Sequence, residues 1–365
     1  MGSVFPVRAG IAVLSFIALF AFGCSENSAP VDESAAEADV SQGDNASELQ
    51  EWKDWAESSD QPAGFSGGEV HLELLQTVSG QGTDNYFNPA AIATDGEILV
   101  VTDQGQERLF CFNLSDTLDV WAMGEPGEGP GHFSRIGHAA IIDSTVYIGN
   151  MMNSRIDRIS TSGEYLSDIS ISSPFDLAVM NDTLLVATSL AENDFITVFN
   201  TDTGDKLWSF GGWDTSLETN IVISNRNMFS CVLGDSILAV ASFYESNVRL
   251  YNIYTMEMVN EFYRRIPLSI PENDPGFFNI HIVDICAFDD TTLVVVLPPL
   301  TSEKTQVTSL DDDIAELAVC DRYSIYGEYL DSFIIPENVL EITVIDSCLW
   351  VANPLESAFS EYIIR

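Results

Sequence analysis

Lysine is almost missing from this chain. Lys53, Lys206 and Lys304 are the only three, and all basic side chains together number 14 against 56 acidic ones, a formal net charge of −42. Phosphate backbones are bound through a basic face that releases their counterions, so this balance argues against nucleic acid as a partner. Histidine is scarce too: His71, His132, His138 and His281 are scattered, without the paired spacing that zinc sites use. No apolar run after Phe22 is long enough to span a bilayer as a helix. Five cysteines follow Cys24, an odd number that cannot all pair. Helical periodicity is absent from residue 69 onward. Apolar residues are not lacking, at 46%, and a disordered acidic polymer would have far fewer.

The N-terminus carries one cation, Arg8, and then a run from Ala9 to Phe22 that is apolar apart from Gly10 and Ser15. That length suits the hydrophobic region of a signal peptide. It ends in Ala21-Phe22-Gly23-Cys24, which resembles a bacterial lipobox with Phe22 bulkier than usual. The resemblance implies cleavage after residue 23 and lipidation of Cys24, anchoring the mature chain to a membrane of the cell envelope. The other reading is an ordinary cleaved signal followed by an incidental cysteine. Residues 24–68 are dominated by Ser, Ala, Asp, Glu, Gly and Asn, a composition that cannot repay its ordering entropy and reads as an acidic tether. Leu49, Trp52 and Trp55 within it are spaced like one side of a short helix.

Residues 69–365 repeat. An Asp or Asn, two small or polar residues and a mostly apolar triplet recur at Asp95, Asp143, Asn181, Asp235, Asp290 and Asp346. The intervals are 48, 38, 54, 55 and 56 residues. An apolar stretch precedes each anchor, as in Ala139–Ile142 or Ile342–Ile345. A polar loop and a third stretch follow, as in Arg155–Ser160 or Glu361–Arg365. Turn formers such as Ser162-Gly163, Thr203-Gly204 and Tyr326-Gly327 then lead into a fourth. Four antiparallel strands per unit, six times over, predict an all-β, six-bladed β-propeller. The sixth unit ends after its third strand, and Val70–Val78 stands unpaired ahead of the first, so that N-terminal strand is expected to complete the last blade and remove the open edges.

Gly127-Glu128-Gly129-Pro130-Gly131-His132-Phe133, then Val146-Tyr147-Ile148-Gly149-Asn150 and Asn153-Ser154-Arg155-Ile156, resemble an NHL-type repeat. The preceding unit echoes the pattern in Thr102-Asp103 and Arg108-Leu109. The layout is similar to that of six-bladed propeller lipoproteins of Gram-negative bacteria. Asn200–Trp208 resembles the docking motif of quinoprotein propellers, but it occurs once instead of in every blade, which argues against a quinone cofactor.

In propellers of this kind ligands meet the face built from the loops between strands two and three and from the blade connections. Asp103, Asn150, Asn153, Tyr244 and Glu245 fall in those loops. Five residues before the anchors, near the start of each innermost strand, stand Ala90, His138, Asp176, Ser230, Ile285 and Glu341. In that register His138, Asp176 and Glu341 approach the central channel from three blades and form the candidate ligand site. A water-filled channel lined with polar side chains is the alternative. Asp311-Asp312-Asp313 offers oxygen to Ca²⁺ but lacks the alternate spacing and glycine of a calcium loop. Cys231 and Cys286, each four residues before an anchor, fill a slot held elsewhere by small apolar groups and read as packing residues.

Two functions are consistent with this pattern. One is an envelope-anchored, monomeric binding module without catalytic set, metal or cofactor, engaging a protein, peptide or glycan across its loop face. The other is a Ca- or Zn-dependent lyase or hydrolase working in the channel. The dispersed acidity reads as a coat that keeps the protein soluble in strong salt.

Overall fold

The computed structural model describes residues 70–80, 87–212, 228–243, 245–264, 282–297 and 318–365. The expected signal peptide, Cys24, the expected tether, Tyr244, His281 and the Asp311–Asp313 run lie outside the described residues.

Each anchor phrase folds as a hairpin between the two inner strands of a blade. Asp143, Asn181 and Asp346 take positive φ, at 51°, 48° and 50°, and Ser347 follows at 69°. Tight hairpins need this left-handed backbone, and Asp and Asn tolerate it better than branched residues do. In blades 1 and 4 the adjacent Gly96 and Gly234 take the positive φ instead, at 90° and 54°. Hydrophobic triplets on the second strand then face both sides of the sheet, since each sheet is covered on both faces by its neighbours.

Six four-stranded antiparallel sheets result. Blade 1 holds β2 (Ala91–Thr94), β3 (Ile98–Asp103), β4 (Arg108–Asn113) and β5 (Asp116–Met123). Blade 2 holds β6 (Ile136–Ile142), β7 (Thr145–Asn150), β8 (Arg155–Ser160) and β9 (Tyr165–Ser170). Blade 3 holds β10 (Pro174–Met180), β11 (Leu184–Ser189), β12 (Asp194–Asn200) and β13 (Lys206–Gly212). Blade 4 holds β14 (Met228–Leu233), β15 (Ile237–Ser242), β16 (Asn247–Asn252) and β17 (Glu257–Tyr263). Blade 5 holds β18 (Asp284–Asp289), β19 (Thr292–Val296), β20 (Ala318–Ser324) and β21 (Tyr329–Ile335). Blade 6 holds β22 (Glu341–Ile345), β23 (Cys348–Asn353) and β24 (Ala358–Ile364).

The fourth strand of blade 6 is β1 (Leu72–Ser79), which pairs antiparallel with β24 from Leu72↔Ile364 to Ser79↔Ala358. Backbone bonds between His71 and Arg365 extend the ladder, and Gln76 Nε2 donates to Glu361 Oε2 at 2.7 Å. Here β24 begins at Ala358, three residues earlier than the sequence reading put it.

Among the described residues the hydrophobic core forms six clusters, five of them shared by two neighbouring blades and the sixth joining blades 4 and 5 with Met151 and Phe175 of blades 2 and 3. Val100 and Leu109 of blade 1 meet Ile148 and Ile159 of blade 2, and Val186 and Val198 of blade 3 meet Leu238 and Val240 of blade 4. Leu293 and Val295 join blade 5 to blade 4, while Val294 and Val296, on the opposite face of the same strand, join it to blade 6. Fully burying one such side chain contributes about 1.5–3 kcal/mol, so the ring is held by its joints. Cys231 and Cys286 sit in these clusters as free thiols, and burial pushes both well up, out of nucleophilic range. Trp208, from the lone quinoprotein-like stretch, packs between blades 3 and 4 and donates Nε1 to the Ile253 carbonyl at 3.1 Å.

Candidate binding site in the central channel

The innermost strands bring His138, Asp176 and Glu341 together. His138 Nδ1 stands 3.3 Å from Asp176 Oδ1 and 3.1 Å from Glu341 Oε2. All three are buried. The fourth member is Asp284, which the spacing argument missed. Counting five back from Asp290 selects Ile285, but β18 carries a bulge between Ala287 and Asp289. The extra residue moves the channel position back by one, so Asp284 pairs across to Val296 as Glu341 pairs to Ala352. Blade 4 also departs from the count. Its first hairpin closes at Leu233↔Ile237 with Asp235 second in the turn, not first as Asn181 is in blade 3, which leaves Phe229 at the channel level and Ser230 one step along. Blade 1 departs as well: Ile92 gives its N–H to Glu341 as Ile342 does to Asp284, which puts Ala91, paired across to Thr102, and not Ala90 at the channel level.

Asp176 and Asp284 use their oxygens alike. One accepts from the next residue's own N–H, Leu177 and Ile285 respectively, each at 2.7 Å. The other accepts from the backbone of the following blade, Ser230 N at 2.5 Å and Ile342 N at 2.8 Å. Ser230 Oγ adds a bond to Asp176 at 2.9 Å. Glu341 is likewise held by the Ile92 N–H of blade 1. Carboxylates at the inner rim therefore stitch blade 3 to 4, blade 5 to 6 and blade 6 to 1, while His138 ties blade 2 to blades 3 and 6.

Electrostatics follow from the burial. Desolvation alone would push His138 down, but Glu341 and Asp176, with Asp284 behind them, outweigh it and push the imidazole up to about 10. The site thus holds an imidazolium at neutral pH. Burial raises Asp176 and Glu341, opposed by His138. Asp284 is pushed well up, by burial first and by Glu341 second. Phe175 and Phe229 lie 5.3 and 6.0 Å from the imidazole, closing its apolar side. Among the described residues no set of three or more His, Cys, Asp or Glu side chains has the arrangement of a metal centre.

On the loop face the predicted residues hold the loops themselves. Asp103 is buried and accepts from Asn88 N at 2.8 Å and Gln106 N at 2.9 Å. Asn150 accepts from Ser134 N and donates to the His132 carbonyl and to Asp157. Asn153 donates to the Gly127 carbonyl at 2.8 Å. Arg155 reaches the carbonyls of Glu128, Gly129 and His132 and pairs with Asp157 at 2.8 Å. The Asn-x-Arg phrase is thus the clamp that shapes the Gly-Pro-Gly loop. Glu107, also a polar group of those loops, accepts from Arg135 N and Ile136 N at the start of blade 2. Glu245 pairs with Arg249 at 2.6 Å.

No protein-family model matches the chain, and no curated protein matches it. Solved structures do. The RRP9 WD40 repeats superpose with a TM-score of 0.55 at 12% identity, over 81% of this chain and 100% of that one. A member of the DUF4221 family from Bacteroides vulgatus gives 0.53 at 10% identity, over 82% and 99%. A putative exported protein from Bacteroides fragilis gives 0.53 at 11% identity, over 84% and 97%. At these identities the likeness establishes the propeller architecture.

Proposed function

We propose that this protein is a lipid-anchored propeller of the cell envelope that binds a protein, peptide or glycan across its loop face. One observation carries the reading. The channel's ionisable groups are taken up in joining blades, through mutual ion pairs and bonds to neighbouring backbone N–H groups. The charge at the centre therefore serves the ring, and what the fold presents outward is its rims. The Gly-Pro-Gly loop clamped by Asn153 and Arg155 supports reading the blades as NHL-type. No helix among the described residues is long and apolar enough to cross a membrane, and attachment through Cys24 requires none.

Two measurements test the proposal on the full chain expressed in a Gram-negative host. Wild-type protein is expected in the detergent phase of a Triton X-114 partition, and Cys24→Ser in the aqueous phase. A photo-crosslinker at Met152, which is 66% exposed in the β7–β8 loop, is expected to trap a discrete partner. Aqueous partition of the wild type overturns the anchor. Absence of any crosslink at Met152 or at neighbouring loop-face positions overturns the binding face.

A further inference from the structure

Exposed apolar side chains are concentrated at one place on the opposite end of the propeller. Among the described residues twelve large hydrophobic side chains stand exposed. Four of them, Tyr254, Met256, Met258 and Val259, fall at the turn end of the β16–β17 hairpin of blade 4, and two more, Tyr326 and Leu330, fall in the β20–β21 hairpin of blade 5. The two hairpins touch. Asn260 Nδ2 donates to the Tyr326 carbonyl at 2.7 Å, and a Cβ on Gly327 would lie 2.6 Å from the Phe262 ring. The surface is continuous from one blade to the next.

Part of this pattern is a property of the blade. The pairs Tyr251↔Met258 and Leu250↔Asn260 leave Val259 as an extra residue in β17. The same bulge leaves Leu166 in β9, Leu207 in β13 and Leu75 in β1, each exposed. A bulge thus explains one outward apolar residue per blade. It does not explain Tyr254, Met256, Met258 or Tyr326, which surround Val259 and have no counterpart on blades 2 and 3 among the exposed set. Edge strands ordinarily carry lysine or proline to prevent pairing with other chains, and β17 has neither.

The charge around the patch has one sign. Glu257, Glu261 and Glu328 are exposed beside it. Arg249 is shared between Glu245 and Glu261, and Arg322 is paired with Asp331. No lysine occurs between Lys206 and Lys304. We infer that the adjoining hairpin ends of blades 4 and 5 are a docking surface for a basic amphipathic segment of a partner protein. Its apolar side chains cover Met258, Val259 and Tyr326, and its Lys or Arg side chains face Glu257 and Glu328. Methionine and tyrosine suit this task, the first by adapting its shape and the second by offering a rigid amphipathic ring. The surface is separate from the loop face, so its occupation does not depend on the binding proposed there.

The test uses the full chain and three synthetic peptides of equal length that alternate Leu with Lys, Ser with Lys, and Leu with Glu, with affinity read by fluorescence anisotropy. The Leu-Lys peptide is expected to bind, the Ser-Lys peptide at least about tenfold more weakly, and the Leu-Glu peptide not at all. Met258→Ser with Tyr326→Ser, at side chains that are 53% and 77% exposed, is expected to weaken Leu-Lys binding about tenfold. Leu166→Ser with Leu207→Ser is expected to leave it unchanged. Equal binding of Leu-Lys to all variants would mean that a polyanion is attracting a cation without a site, and it overturns the inference. So does binding of the Leu-Glu peptide. Recruitment of the wild type, but not of the Met258/Tyr326 variant, to neutral phosphatidylcholine vesicles would assign the patch to a lipid surface and overturn it as well.

Discussion

His138 on β6 and Glu341 on β22 meet 3.1 Å apart although blade 1 stands between their blades. Two features allow it. Blade 1 offers only small, buried Ala90 and Ala91 at this level, and the inner strands converge toward the axis. One cation then serves two carboxylates, Asp176 and Glu341, both at its Nδ1. The ring is closed twice, at its outer edge by β1 on β24 and at its inner edge by this pair.

Replacing His138 with Gln keeps the volume and removes the charge. It leaves Asp176 and Glu341 facing each other without a cation in a dry site. Breaking a buried pair in this way costs about 3–5 kcal/mol, and we expect a loss of that size in urea unfolding of the full chain. Adding Glu341→Gln to His138→Gln should restore part of it, because one orphaned charge is then gone. An unchanged midpoint for the single variant would mean that the cluster does not hold the blades.

Alkaline pH should weaken the fold in the same way. The folded imidazole sits at about 10 and its ordinary value is 6.5. A group raised on folding contributes stability that is fully present below the unfolded value and lost as pH rises through the folded one. The contribution from His138 is therefore complete below about pH 6.5 and disappears toward pH 10. Asp176, Asp284 and Glu341 face it and are raised as well, so their contributions also decline as pH increases. Melting temperature followed from pH 6 to 10.5 should fall, and His138→Gln should flatten the slope. A flat wild-type profile across that window would contradict the ion cluster.

Much of the sixfold phrase was readable because hairpin chemistry imposes it: a left-handed backbone position admits few residue types, and Asp143, Asn181 and Asp346 occupy it, as Gly96 and Gly234 do beside Asp95 and Asp235. Three of the four channel residues were readable for the same reason, since a regular strand keeps a fixed count from turn to axis. Asp284 was not, because a bulge inserts one residue and no local signal in Ala287-Phe288-Asp289 announces it. Glu107 could be placed among the loop-face residues, but its role could not be read. Its partners, the Arg135 and Ile136 amides, come from the next blade, and a sequence does not display which loop a carboxylate will reach.

Arg155 illustrates a motif residue whose work is conformational. It supplies donors to three carbonyls of the Gly127–His132 loop and balances buried Asp157. Arg155→Ala removes charge-assisted bonds worth about 1.5–3 kcal/mol each at most and strands a carboxylate. Amide exchange should accelerate sharply in residues 125–133 while the inner strands of other blades are unaffected. Arg155→Lys should rescue little, since one ammonium cannot reproduce the guanidinium fork. Unaltered exchange in that loop would remove the clamp from the account.

The acidity should appear as a salt requirement. A charge of −42 repels itself, and screening lengths shorten from about 10 Å at 0.1 M salt to about 3 Å at 1 M. Thermal unfolding of the full chain should shift upward by several degrees across that range, with most of the gain below 1 M. A melting temperature independent of NaCl would mean that the charges are spaced widely enough to be inert, and the reading as a high-salt coat would fail.

The outer closure can be opened without touching the channel. A chain beginning at residue 87 lacks β1, leaving the outward-pointing N–H and C=O groups of Ala358–Ile364 unpaired along an edge and removing Val70 and Leu72 from the cluster between blades 5 and 6. Such an edge is a template for another chain, so the truncated protein should form dimers or larger species in size-exclusion chromatography with light scattering. Its melting temperature should also fall, whereas a chain beginning at residue 69 should match the full protein in stability. Adding a synthetic peptide of residues 70–80 should return the truncated chain toward monomer, because the peptide restores the ladder from Leu72 to Ser79. A monomeric truncated chain with an unshifted melting temperature would show that the inner cluster closes the ring by itself.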